Sequence, residues 1–146
     1  MPVADARTQL AGLVLAVALG GWSACERTTD YPQGAILYEN YCANCHQPSG
    51  QGLVGNIPPL AGADWLHTQR DSILCVLRWG MRGPLVVNGL PYEGVMQGHP
   101  RLSDTELLNI ANYVLTSWGN AEAPIKATEA KRMLSGCGRE RAVRVQ

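Results

Sequence analysis

The stretch Cys42-Ala43-Asn44-Cys45-His46 decides how the chain is read. Two cysteines flank two residues and a histidine follows at once, which is the spacing that joins a c-type haem to a polypeptide. In that chemistry the two thiols add to the two vinyl groups of the porphyrin, and the imidazole of His46 reaches the iron. A C-x-x-C pair has other uses. A zinc site takes a second pair of ligands at suitable spacing, and none is evident. A thioredoxin-like redox pair sits in a βαβ pattern, which the flanks do not show. The expected cofactor is therefore one covalently bound haem c with its iron.

A chain of 146 residues holds one domain plus extensions. Its 46% hydrophobic content suffices for a core, but there is no phenylalanine, so aromatic packing falls to four Trp and five Tyr. The formal net charge of zero points neither to nucleic acid nor to a strongly charged partner. The zero hides an asymmetry. From Asp30 to Asn120 there are four basic and seven acidic residues, leaving −3; from Ala121 to Gln146 there are six basic and three acidic, leaving +3. A mildly acidic domain carries a basic tail.

The N-terminus reads as a targeting segment. Arg7 precedes an apolar run from Leu10 to Leu19, too short to span a bilayer comfortably and suited to the core of a signal peptide. A buried helix is the competing reading, weakened by the abrupt change to small and polar residues at Gly20-Gly21-Trp22-Ser23-Ala24-Cys25. Export agrees with haem attachment. Ser23-Ala24-Cys25 is similar to a bacterial lipoprotein signal in which Cys25 is lipidated, although Trp22 stands where an aliphatic residue is usual. Ala18-Leu19-Gly20 is a rival cleavage site for ordinary signal peptidase. Lipidation is preferred, and a lipoprotein anchor with several acyl chains is stable on a membrane. Cys75 and Cys137 then remain. They could pair in an oxidising compartment; equally, Cys75 could be a small buried hydrophobe and Cys137 a free thiol.

Taken in order, residues 1–24 read as the signal, 25–30 as a tether, 31–120 as the haem domain and 121–146 as a basic C-terminal extension. Asp30 or Tyr31 opens a helix with Pro32 in its first turn, running through Tyr38 and Tyr41 into the haem motif. Gln47 to Pro59 is a loop of the length that is wrapped around something. Asp64 and Asp71 are candidate caps for two short helices, the second ending at Gly80 and Gly83-Pro84. Leu85 to Met96 is extended and turn-rich, with Asn88-Gly89 a strong turn pair and no alternating runs long enough for a real sheet. Ser103-x-x-Glu106 is a capping box for a final helix from Asp104 to about Trp118, stopped by Gly119. Beyond Ala121 there is room for an amphipathic turn or two before Gly136, and the polar, basic end is expected to be partly disordered.

The second axial ligand decides the chemistry. The candidates are Met81, Met96, Met133, His67 and His99. Met96 is best placed, on a loop between Gly94 and Gly98 just before the capped helix, and a thioether raises the potential as electron carriers need. His99 is next, although His99-Pro100 looks like a turn. Met81 reads as packing, Met133 lies in the charged tail, and His67 as a surface helix residue.

The run from Tyr31 to Asn120 resembles a class I cytochrome c of the bacterial monohaem group, found free and as subunits of periplasmic oxidoreductases. The matching segments are Gly34-x-x-x-Tyr38, Cys42 to His46, Gly50-x-Gly52, Pro58-Pro59-Leu60-Ala61-Gly62, Gly89-x-x-Tyr92-x-Gly94-x-Met96, and Leu102-Ser103-Asp104 through Tyr113 to Trp118-Gly119-Asn120. The resemblance implies an all-α class I cytochrome c fold, three to five helices wrapped around one covalently bound haem. It implies that Gly34 and Tyr38 cross the last helix near Ile110 and Tyr113. It also implies that His46 and Met96 are the axial ligands and that the Pro59 carbonyl orients the His46 ring.

With both axial positions filled by protein, the iron has no site for substrate, so the chain is expected to carry electrons rather than catalyse. Its partners would be a redox donor and acceptor in the periplasm, reached from a membrane anchor at Cys25. A different reading makes it the electron-transfer subunit of a larger periplasmic oxidoreductase, held beside a catalytic chain. A third is a haem ligand sensor or peroxidase-like enzyme in which Met96 gives way to a small ligand.

Overall fold

A computed structural model describes residues 29–138. Among them are six α-helices: α1 (Pro32–Tyr41), α2 (Ala43–His46), α3 (Asp64–Thr68), α4 (Ile73–Trp79), α5 (Asp104–Thr116) and α6 (Ala127–Ser135). Four strands of two or three residues lie between α4 and α5: β1 (Gly80–Met81), β2 (Leu85–Val87), β3 (Leu90–Tyr92) and β4 (Met96–Gln97). They form two antiparallel ribbons, β1 with β4 and β2 with β3.

The frame is the crossing of α1 over α5. Pro32 opens α1 at a position where its missing N–H costs nothing. Gly34, Leu37 and Tyr38 then form the buried face of the helix. A Cβ on Gly34 would lie 2.2 Å from the Asn109 carbonyl oxygen and 2.8 Å from Tyr113 Cβ, so the two backbones touch. Tyr38 packs against Tyr113 and Trp118, with ring centroids 5.4 and 4.9 Å away, and its hydroxyl donates to the Gln47 carbonyl at 2.7 Å. At its other end α5 begins on the capping box: the Glu106 N–H donates to Ser103 Oγ, and the Ser103 N–H to Glu106 Oε2. The helix ends at Thr116, two residues short of the sequence expectation, and Trp118 and Gly119 turn the chain with positive φ.

The loop after His46 folds back on itself. The amides of Leu60 and Ala61 both donate to the Gly50 carbonyl, and Leu53 bridges to Ile57. Asn120 pins the loop to α5, donating to the Leu60 and Val114 carbonyls and accepting from the Gly62 N–H. Asn88 (φ 51°) and Gly89 (φ 77°) make the hairpin turn that joins β2 and β3, as their left-handed preference dictates. Asp64 lies inside the first turn of α3 rather than capping it. Its carboxylate accepts from the Asn88 N–H and its own N–H donates to Asn88 Oδ1.

The amphipathic stretch expected between Ala121 and Gly136 is a helix packed on the domain. Buried Asn112 of α5 donates to the Ile125 carbonyl at 3.0 Å and accepts from the Ile125 N–H at 2.7 Å, seating Ile125 in the core. The nine-residue α6 follows, buries Ala130, and pairs Glu129 with Arg70 at 2.7 Å. Cys75 and Cys137 are joined in a disulfide with their Cα atoms 5.3 Å apart, which settles the alternatives left open for this pair. The remaining basic end, residues 139–146, and residues 1–28 with Cys25 lie outside the described residues.

Replacing Gly34 by Ala should force α1 off α5. We expect a loss of about 1–3 kcal/mol in denaturant unfolding of the haem-bearing protein, despite the better helix propensity of Ala. An unchanged unfolding midpoint would show that the crossing has slack.

Candidate haem site

Residues from α2, α3, α4, α5, the ribbons and the loop after His46 line one apolar chamber. Cys42 and His46 form one side and Pro58, Pro59 and Leu60 the loop side. Trp65 and Leu66 come from α3, Ile73, Val76 and Leu77 from α4, and Ile110 and Val114 from α5. Met81, Leu85, Val87 and Met96 come from the ribbons. A wider mouth shares Cys42, His46, Pro58, Met81, Leu85 and Met96 with the chamber and adds Tyr41, Cys45, Ile57, Val95 and His99.

The haem-motif residues meet at this rim because α2 is a single helical turn. The amides of Cys45 and His46 both donate to the Cys42 carbonyl, at 3.1 and 2.9 Å. Cys42 is buried and Cys45 exposed. Burial, reinforced by the neighbouring Cys45, pushes the Cys42 thiol up to about 12. It is thus no thiolate near neutral pH, as a thioredoxin-like nucleophile would be. His46 is also buried, which holds its imidazole below the ordinary pKa, partly opposed by a hydrogen bond to a carbonyl. That carbonyl is 3.1 Å from Nδ1 and belongs to Pro58. Because a carbonyl can only accept, Nδ1 carries the proton and Nε2 keeps a lone pair for a metal.

The partner of His46 was expected to be the Pro59 carbonyl, and this is corrected by one residue. The Leu53–Ile57 bridge and the two amides bound to Gly50 fix the register of the loop. They present Pro58 oxygen to the ring, while Pro59 lines the chamber.

The candidates for the second axial position separate. Met96 and Met81 both line chamber and mouth, and they face each other as cross-strand partners of β1 and β4. His99 reaches only the mouth, where its ring meets Tyr41 edge-on at 5.5 Å, and burial holds it below its ordinary pKa. His67 is exposed and bonded to Glu122 at 3.1 Å, away from both cavities. Met133 packs beside the disulfide, where its carbonyl faces Cys75 and Cys137. Sequence reasoning read Met81 as packing; its closeness to Met96 comes from a two-residue ladder that leaves no periodic signal.

Sequence reasoning also passed over Trp65. Among the described residues, the buried side-chain polar atom without a partner is its Nε1, and the ring lines the chamber. An unpaired buried donor in an otherwise apolar wall suits an acidic group brought in with a largely apolar ligand. A haem, an apolar ring bearing carboxylates, fits that wall, with Cys42 and Cys45 to attach it and His46 Nε2 to bind its iron.

Comparisons with known proteins agree. The family described as Cytochrome c matches residues 32–118. Cytochrome c-552 of Thermus thermophilus is 38% identical over 109 residues, covering 68% of this chain and 82% of that protein. The fructose dehydrogenase cytochrome subunit of Gluconobacter japonicus is 30% identical over 121 residues, covering 78% of this chain but 24% of that protein. The cytochrome c subunit of the quinone alcohol dehydrogenase of Komagataeibacter europaeus is 34% identical over 100 residues, 66% of this chain and 21% of the subunit. The chain belongs to the cytochrome c family, as a class I monohaem c-type cytochrome with covalently bound haem c. It is an electron carrier rather than a catalytic chain.

Replacing Trp65 by Phe gives opposite results for the two states of its N–H. If the indole donates to a carboxylate in the mature protein, the change costs about 1.5–3 kcal/mol in denaturant unfolding. If the donor stays unpaired, the change is neutral or stabilising. We expect the loss.

Proposed function

We propose that this cytochrome carries single electrons between a donor and an acceptor outside the cytoplasm, with His46 and Met96 as axial ligands and Cys42 and Cys45 as the attachment points. When bound, the haem supplies a one-electron Fe(III)/Fe(II) couple. The observation that carries the ligand assignment is that His46, with Nε2 left free by Pro58, and the Met96 thioether line one apolar chamber from separate chain segments. His46 binds as a neutral imidazole whose basicity the Pro58 carbonyl raises. Met96 supplies the soft ligand that favours the reduced iron. Leu66 and Ile110, buried along the chamber, exclude water. Tyr41 and Val95 are exposed apolar residues that line the mouth beside the exposed Cys45, as suits brief docking through a small surface.

Residues 1–24 serve in this reading as an export signal. A lipidated Cys25 and a tether to residue 30 would hold the haem domain, residues 31–120, at a membrane, with 121–146 as its extension. No helix among the described residues is long and apolar enough to cross a membrane. Similarity to cytochrome subunits of two dehydrogenases favours a second reading, an electron-transfer subunit of a larger oxidoreductase. Purification from the native membrane distinguishes the two, by whether a catalytic chain comes along.

Cys42→Ala/Cys45→Ala protein should lose its haem to acid-acetone extraction, and retained haem would refute the attachment. Met96→Ala should abolish the weak near-red band of oxidised iron bound to a thioether. It should also lower the midpoint potential by on the order of 100 mV, within the span that axial ligands control. An intact band with an unchanged potential would refute the ligand.

A further inference from the structure

The ribbon that carries Met96 is too short to hold itself. It pairs Gly80 with Gln97 and Met81 with Met96 and then ends, and a two-stranded ladder of this length has little stability alone. What holds it is backbone laid on backbone. A Cβ on Gly98 would lie 2.3 Å from the Trp79 carbonyl carbon and 2.4 Å from the Gly80 nitrogen; one on Gly80 would lie 2.2 Å from the Met96 oxygen. The His99 N–H donates to the Leu77 carbonyl at 2.8 Å. The segment from Met96 to His99 is therefore moulded onto the last turn of α4, and it moves if that turn moves.

The last turn of α4 is in turn held from outside. Cys75 and Trp79 are four residues apart and share one helix face, while Ile73, Val76 and Leu77 line the chamber. Both outer residues meet Cys137: Cys75 through the disulfide, Trp79 by donating its indole N–H to the Cys137 carbonyl at 3.2 Å. The extension that brings Cys137 there is anchored separately, by Asn112 to Ile125 and by Arg70 to Glu129.

We propose that the C-terminal extension, fastened through Cys75–Cys137 and Trp79, is a positioning element for the sixth-ligand loop. It clamps the end of α4, and the end of α4 presses the Met96 segment toward the iron. The proposal rests on the reading of Met96 as axial ligand and goes beyond it. Residues far from the iron set how often the thioether lets go. Local opening of the loop is governed by these outer contacts rather than by the ribbon's own hydrogen bonds.

The test uses the mature holoprotein as wild type, Cys75→Ala/Cys137→Ala, Trp79→Phe and Met96→Ala. Trp79→Phe keeps the disulfide and removes the N–H, so it serves even if the double variant folds poorly. The readouts are the near-red band, the midpoint potential and the rate at which cyanide binds the ferric protein well below thermal unfolding. That rate reports thioether release. We expect the double variant to keep its covalent haem and its band but to bind cyanide about tenfold faster or more, with a lowered potential, and Trp79→Phe to shift the same way by a smaller factor. Rates within about twofold of wild type in both variants, with the wild-type band present, would overturn the proposal and leave Met96 as ligand. A wild type without the band, binding cyanide as fast as Met96→Ala, would overturn both.

Discussion

The contact of α1 with α5 at Gly34 is the constraint on which the rest depends. It brings two helix backbones together where any side chain would hold them apart. From that crossing Tyr38 reaches Tyr113 and Trp118, and the end of α1 delivers Cys42 and His46 to the chamber wall facing Ile110 and Val114 of α5. The crossing thus fixes the attachment side of the site. The loop from Gln47 to Ala63 closes over it, held by Gly50 and Asn120, and places one carbonyl where His46 needs an acceptor.

The opposite side is built differently. No long helix presents Met96. A two-residue strand does, supported by two glycines that let it lie on the end of α4. The two axial candidates therefore have unequal supports. His46 is part of a helical turn inside the core, whereas the Met96 segment lies on the end of α4, whose outer face meets a disulfide and the C-terminal extension through Cys75 and Trp79. The supports of an axial ligand tune the potential of a haem without a change of ligand identity.

What the sequence made legible was local. The haem motif, the Ser103–Glu106 box, the Pro32 start and the Asn88-Gly89 turn each speak through a few adjacent residues, and the structure places all four. What it concealed was non-local. The Pro58 carbonyl replaced that of Pro59 because a bridge between Leu53 and Ile57 sets the loop register. The neighbours Met81 and Met96 come from a ladder too short for periodicity. The Cys75–Cys137 bond joins residues 62 apart. One signal for the packed extension was present: Asn112 interrupts an otherwise apolar helix stripe, and a polar residue there needs a partner, which Ile125 supplies. Trp65 offered a similar cue, a donor among apolar neighbours.

In the proposed site the thioether of Met96 would bind the iron from the side opposite His46. Proton NMR of the reduced, diamagnetic protein labelled at its methionine methyls tests it directly, because the porphyrin ring current moves a methyl bound through sulfur to the iron far upfield. Ligation by Met96 predicts one strongly upfield methionine methyl, assigned by its loss in Met96→Leu and kept in Met81→Leu. An upfield methyl that belongs to Met81, or none at all, would contradict it.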